Sequence, residues 1–380
     1  MISKYKEKIL VILTTIVISF FSIIFTRPLL EDWGIISWFR NAPLGIEMWN
    51  VWLTNSFDGT PARPFQIIAW VMGIQVGKLL PYSFDQNSIF GIAAIHGFIN
   101  SLKFVITWKC IPKNISNFSK WVICLLVIYP AVWPSLFNPQ SLSSQFSSLL
   151  YLVIIYFLLQ FYKTNRIHFL FGLAVTVFAL LTVYQGLILC FFLSLIYFFI
   201  LETKSERSNR EKFLKIFTTI TTATLLYGFY LLAQFLRIGK LGYETSGATP
   251  QGMFEILMSL LKSIGNIYPT VFRESPILNA FWFFSIYFLL KELSRTKLKL
   301  YLSVLFLVVT PLTSVIFFVN LEWINDPNRV LFVVSFAIST LILFLINSSE
   351  NPSEVISKTK VRSKTKIKYL NHSKKYLSFF

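Results

Sequence analysis

The sequence predicts an all-α, polytopic integral membrane protein with about ten or eleven transmembrane helices and an aromatic-rich outer loop after the first. Three observations carry that expectation. The 380 residues are 55% hydrophobic and 17% aromatic but only 14% charged, with a mean hydropathy of +0.63. Soluble chains carry about a quarter charged residues. Apolar runs of hydrocarbon length recur along the chain. Finally, 35 basic residues against 17 acidic ones give a net charge of +18, and the basic residues stand in short clusters between those runs. Soluble enzyme folds, disordered scaffolds and secreted disulfide frameworks are excluded together. A nucleic-acid partner is not expected either, because each basic cluster abuts an apolar run, the positive-inside pattern of a membrane protein.

Taken in order, the apolar runs are Ile9 to Phe25, Ser88 to Thr107, Trp121 to Phe137, Phe146 to Tyr162, Ile167 to Val183, Leu187 to Leu201, Phe213 to Leu236, Ile277 to Leu290, Leu300 to Val319 and Val330 to Ile346. The first follows Lys4, Lys6 and Lys8 and precedes Thr26-Arg27-Pro28 rather than a small-residue cleavage site, so it reads as a retained helix and not a signal peptide. A further run, Phe65 to Leu80, lies between Pro64 and Pro81 and holds Gln66, Gln75 and Lys78. Its length fits a short span, a re-entrant segment or an interfacial helix. Residues 1–346 form the transmembrane domain, and 347–380 form a basic cytoplasmic tail without an acid from Lys358 to Lys375. That tail anchors the topology and is placed to meet anionic lipid. Cys110, Cys124 and Cys190 form no C-x-x-C and have no histidine at ligand spacing, so they read as small packing residues.

Sorting the loops by charge places segments 108–120, 163–166, 202–212 and 291–299 and both termini inside, provided that 64–107 crosses an odd number of times. Segments 26–63, 138–144, 184–186, 237–276 and 320–329 then lie outside, and they hold most of the loop Asp, Glu, Pro, Gly and Trp residues. The loop 237–276, with Gly239, Gly242, Gly247, Tyr243, Glu244 and Arg273, is a lid or a connector. Inside one apolar run, His96, Asn100 and Lys103 fall at i, i+4 and i+7 on a single helix face. Helix packing, a lipid-phosphate contact and a proton relay are the roles open to them, with Lys103 able to snorkel to the inner surface.

The first outer loop is the richest in chemistry. Glu31 and Asp32 follow the first helix directly, at the lipid-water boundary, where a partly desolvated carboxylate suits a general base for an alcohol. Solvated loop charges would look the same in sequence. Trp33, Trp38, Trp49 and Trp52 fit an interfacial belt or a sugar-stacking surface. Arg27, Arg40 and Arg63 fit either membrane anchors or bidentate phosphate ligands.

An acidic pair after the first helix, an aromatic outer loop and an Arg-Pro pair opening the next apolar segment resemble the polytopic GT-C type glycosyltransferases. The pattern is most similar to the GtrII-like glucosyltransferases of bacterial O-antigen modification. Glu31-Asp32 stands where that family resembles Asp-Asp, and Ala62-Arg63-Pro64 where it resembles Gly-Arg-Pro. Glu in place of the first Asp leaves open which carboxylate is the base. Tyr184-Gln185 at an outer turn and Arg329 before the last helix resemble further family features. The resemblance implies an inverting transfer of a hexose, glucose by analogy, from a polyprenyl-phosphate sugar to a glycan or glycolipid acceptor. The reaction would take place on the outer face of the bacterial cytoplasmic membrane. It implies Asp32 or Glu31 as base, Arg63, then Arg329 and Arg40, on the donor phosphate, and Trp33, Tyr184 and Gln185 on the substrate. No cofactor is required, although the acidic pair is compatible with a divalent cation, Mg or Mn. The chain has no Gly-rich nucleotide motif, which agrees with a lipid-linked donor. Two other classes stay open. A lipid-linked sugar flippase or other transporter would place ionisable groups at the membrane midplane, and a structural assembly subunit would give the two motifs no role.

Overall fold

The computed structural model describes residues 2–25, 36, 65, 68–113, 115–128, 142–183, 188–202, 207–239, 258, 284, 287, 290–291, 298–306 and 339–347. All regular structure among them is helical: α1 (Ile2–Phe25), α2 (Ile68–Gly77), α3 (Phe84–Cys110), α4 (Asn117–Ile128), α5 (Leu142–Thr164), α6 (Ile167–Val183), α7 (Ile188–Glu202) and α8 (Arg207–Ile238), with 298–306 and 339–347 helical as well. Among the described residues, three helices, over Asp85–Cys110, Gln145–Thr164 and Arg210–Arg237, are long and apolar enough to cross a membrane. The basic tail and the segments 26–35 and 240–257, expected on the outer side, lie outside the described residues, as does most of the predicted run Ile277 to Leu290.

Helix ends follow local chemistry. Ser83 caps α3, its side chain accepting from the Gln86 amide, and Asp85 stands in the first turn. α5 stops at Asn165, which takes a left-handed φ of 54° while its amide bonds the Phe161 carbonyl at 2.7 Å. Gly239 ends α8 in the same way, with φ 77°.

α3 is the axis of the fold, and small residues set its contacts. α1 runs antiparallel to it: Ser19 Oγ lies 2.6 Å from Ser101 Oγ, and Ser101 donates to the Thr15 carbonyl at 3.1 Å. A methyl on Gly97 would lie 2.9 Å from the Ser19 carbonyl oxygen, so only glycine allows this approach. The outward faces of α1 and α8 remain apolar, with Ile16, Phe20, Leu225 and Phe229 exposed. Polar groups inside and apolar side chains outside are the inverse of a soluble helix pair.

α2 is held more tightly still. It carries Gly73-x-x-x-Gly77, and a methyl on Gly91 of α3 would overlap the Gly73 carbonyl oxygen. A methyl on Gly77 would overlap the carbonyl of Asn87. The backbones therefore touch, the close approach that small-xxx-small spacing permits. The Asn87 side chain ties the intervening turn, donating to the carbonyls of Leu80 at 2.9 Å and Tyr82 at 3.0 Å. With 10 residues, α2 is about 15 Å long, half a hydrocarbon core. The stretch Phe65 to Leu80 is thus no full span. It is a half-length helix laid antiparallel on the N-terminal half of α3.

α5 to α8 run up and down beside this unit. Gly172 of α6 receives the ring of Phe157 on α5, Phe199 of α7 stacks near Phe213 of α8 at 4.3 Å, and Phe178 of α6 meets Tyr227 of α8. Segment 339–347 runs along α5 and α7. Thr340 bonds Tyr151 at 2.7 Å, Phe344 meets Phe198, and the Asn347 amide donates to the Cys110 carbonyl at 3.0 Å. The C-terminal ends of α3, α5 and α7 therefore share one end of the bundle.

Candidate functional site

Glu31, Asp32, Trp33, Arg40, Arg63, Tyr184, Gln185 and Arg329 all lie outside the described residues. Three described residues within four positions of some of them are anchored. Ile36 is buried in one apolar cluster with Ala69, Trp70 and Ile74 of α2 and Ile92 and Ile95 of α3. It follows Asp32 by four residues in the sequence and precedes Arg40 by four. The Phe65 amide, two residues after Arg63, donates to the carbonyl of Thr182 at 3.2 Å, and Thr182 stands two residues before Tyr184. The Phe65 carbonyl in turn accepts from Ile68 at 3.2 Å as α2 begins. A carbonyl at the C-terminal end of α6 and an amide ahead of α2 thus satisfy each other. Stretches far apart in sequence, each flanking one of the motifs, meet around α2.

The opposite end of the bundle gathers the basic loops. Glu7 of α1 accepts from the Trp108 indole at 3.1 Å and pairs with Lys120 at 3.5 Å, while Lys120 stands 5.5 Å over the Trp108 ring. Lys212 donates to the Tyr162 carbonyl at 3.0 Å, beside the α5–α6 turn that carries Lys163 and Arg166. Segments 108–120, 163–166 and 202–212, sorted to one side by charge, thus meet at one end among their described residues. The C-terminal end of α6 and the α2–α3 turn lie away from it.

On α3, His96 and Asn100 are buried and bond each other at 3.1 Å. Lys103 corrects the sequence expectation. Its ammonium does not snorkel to a surface; the residue is 3% exposed and donates to the Gln145 side chain on α5. Gln145 sits near the start of α5, so the bond draws the lysine inward along α3 and fastens the two helices. A second buried polar group escaped the sequence reading. Tyr151 Oη lies 2.8 Å from Ser194 Oγ and 2.7 Å from Thr340 Oγ1, joining α5, α7 and 339–347. Each hydroxyl belongs to an ordinary apolar run, and only the fold makes them neighbours. Cys110 and Cys124 are buried free thiols in the core. Among the described residues, no three His, Cys, Asp or Glu side chains stand together as a metal site would require. In comparisons with family models, with curated proteins and with solved structures, nothing matches this chain.

Proposed function

We propose that the chain is a polytopic inner-membrane glycosyltransferase of the GT-C type. It would move a hexose from a polyprenyl-phosphate donor to a glycan or glycolipid acceptor at the outer face, with inversion. The observation that carries this reading is the anchoring around α2. Ile36, Phe65 and Thr182 are the described neighbours of the acidic pair, the Arg-Pro pair and Tyr184-Gln185, and all three converge on one region, away from the basic end. Positive loops inside put that region outside.

In this reading Asp32 or Glu31 takes the acceptor hydroxyl proton as the acceptor oxygen attacks the anomeric carbon and the bond to phosphate breaks. Charge gathers on the leaving polyprenyl phosphate, where Arg63, with Arg329 and Arg40 behind it, stabilises it in a low-dielectric setting. Trp33 and the Tyr184-Gln185 turn hold the sugar. Glu31 and Asp32 would supply two of the roughly six oxygen ligands that a Mg or Mn ion takes, and no step is routed through such an ion.

A lipid-linked sugar flippase is the second reading, and the buried His96–Asn100–Lys103 face at the middle of α3 favours it. Measuring glycosidic bond formation and lipid translocation side by side, for wild type, Arg63→Ala and Arg63→Lys, separates the two. The transferase reading expects bond formation by wild type, a strong loss of donor use in Arg63→Ala and an intermediate Arg63→Lys, which keeps charge without the planar fork. Translocation with no bond formed by wild type would reject it.

A further inference from the structure

We propose that an anionic phospholipid docks along the seam between α6 and α8 at the basic end of the bundle, its phosphate among Arg166, Lys212 and Lys215 and an acyl chain on Ile167, Phe171 and Val175. The proposal rests on the membrane-embedded reading above but not on glycosyl transfer. α6 and α8 start at the same end and pack side by side, with 6.3 Å between the ring centroids of Phe178 and Tyr227. Lys212 fixes how they start. Its ammonium reaches from the beginning of α8 to the Tyr162 carbonyl at 3.0 Å and stands 5.3 Å from the centroid of the Tyr162 ring, just before the α5–α6 turn. Arg166, exposed, closes that turn. Lys215, also exposed, follows Lys212 by three residues and so shares its side of α8. Among the described side chains of this corner, Lys163, Arg166, Arg210, Lys212 and Lys215 stand against one acid, Glu211.

An apolar stripe leads away from these cations. Ile167, Phe171 and Val175 recur every four residues on α6 and are 81%, 74% and 52% exposed. On α8, Thr222 and Leu226 continue the exposed side on which Lys215 stands. From Ile167 to Val175 the stripe runs about 12 Å into the apolar length of α6. Cations at the boundary, continuous with an apolar stripe along the helix, complement the phosphate and the chain of one amphiphile. A zwitterionic lipid would bring its own ammonium into the cluster, so a head of net negative charge is favoured. A soluble phosphate would leave the stripe uncovered.

Native mass spectrometry of the full chain, released from detergent micelles that hold phosphatidylglycerol or phosphatidylcholine, counts the bound lipid and tests this. Wild type should retain phosphatidylglycerol in preference to phosphatidylcholine. Arg166→Gln/Lys215→Gln should weaken phosphatidylglycerol about thirtyfold, since each basic residue near a lipid surface contributes a factor of about five. Lys109→Gln/Lys113→Gln removes the same charge from exposed positions at the same end but leaves the seam intact, and should bind as wild type does. The basic tail is common to all these proteins and cancels in the comparison. Arg166→Lys/Lys215→Arg keeps both charges and should also bind as wild type does. Equal losses in the two glutamine doubles would mean diffuse attraction to one face and would overturn the seam. Equal retention of the two lipids by wild type, an unchanged Arg166→Gln/Lys215→Gln, or a loss as large in Arg166→Lys/Lys215→Arg overturns it as well. Displacement of the lipid by millimolar inorganic phosphate would mark a bare anion site and reject the phospholipid. Bound lipid is counted whether or not a glycosidic bond is ever formed, so the proposal can fail while the transferase reading stands, and the reverse.

Discussion

The two halves of α3 hold their neighbours by opposite means. Its N-terminal half meets α2 through bare backbone, Gly91 against Gly73 and Gly77, and the region so built buries Ile36. Its C-terminal half is joined by polar side chains, Lys103 on Gln145 nearer the middle of the helix and Trp108 on Glu7 at the end where the basic loops collect. A backbone contact fixes depth and register but leaves no room for change. A side-chain contact tolerates change as long as no buried charge is left alone.

The largest effect is expected at the glycine contact. Gly91→Ala puts a methyl onto the Gly73 carbonyl, and overpacking of this kind costs about 1–3 kcal/mol or more. Gly228 on α8 has open space around it, so Gly228→Ala should be neutral or stabilising by up to about 1 kcal/mol. Thermal unfolding of both variants in detergent checks the pair, and equal shifts would mean that α2 and α3 are not in backbone contact. Next in size is the lysine bond. Gln145→Leu strands a buried ammonium and should cost about 2–3 kcal/mol, whereas Lys103→Met removes the charge itself and should cost less. The double variant should recover part of the Gln145→Leu loss, and its failure to do so would show that the two side chains act separately. The smallest effect is at Glu7, which is 37% exposed. Glu7→Gln should cost about 1 kcal/mol, because Lys120, itself 3% exposed, loses its counter-charge but keeps an oxygen acceptor in the glutamine, and high salt should change the difference little.

Much of this architecture was legible in the sequence because hydrocarbon length and charge are composition signals. The run Ile167 to Val183 is α6 as observed, and Leu187 to Leu201 differs from α7 by one residue at each end. α3 and α8 begin earlier than their apolar runs, at Phe84 and Arg207, because polar and basic first turns extend a helix beyond the part that needs lipid. Gly73-x-x-x-Gly77 was present in the sequence as a close-approach spacing, and reading it would have favoured a packed half-helix over a free interfacial one for Phe65 to Leu80. The Phe65–Thr182 and Tyr151–Thr340 pairings left no local trace, since hydrogen bonds between distant runs impose no periodicity on either. Of the site, the sequence offers the motifs alone. The structure adds that the neighbours of three of them share one region.

The most direct measurement is transfer by the purified protein in lipid, supplied with labelled polyprenyl-phosphate hexoses and a panel of glycan acceptors. Wild type and the double variant Glu31→Gln/Asp32→Asn are run together. The account predicts a new glycosidic bond from the wild type and a loss of about 10² to 10⁴ in rate on removing the carboxylates, with protein level and donor binding retained. A double variant that turned over at the wild-type rate, or a wild type that formed no bond with any donor and acceptor, would contradict it.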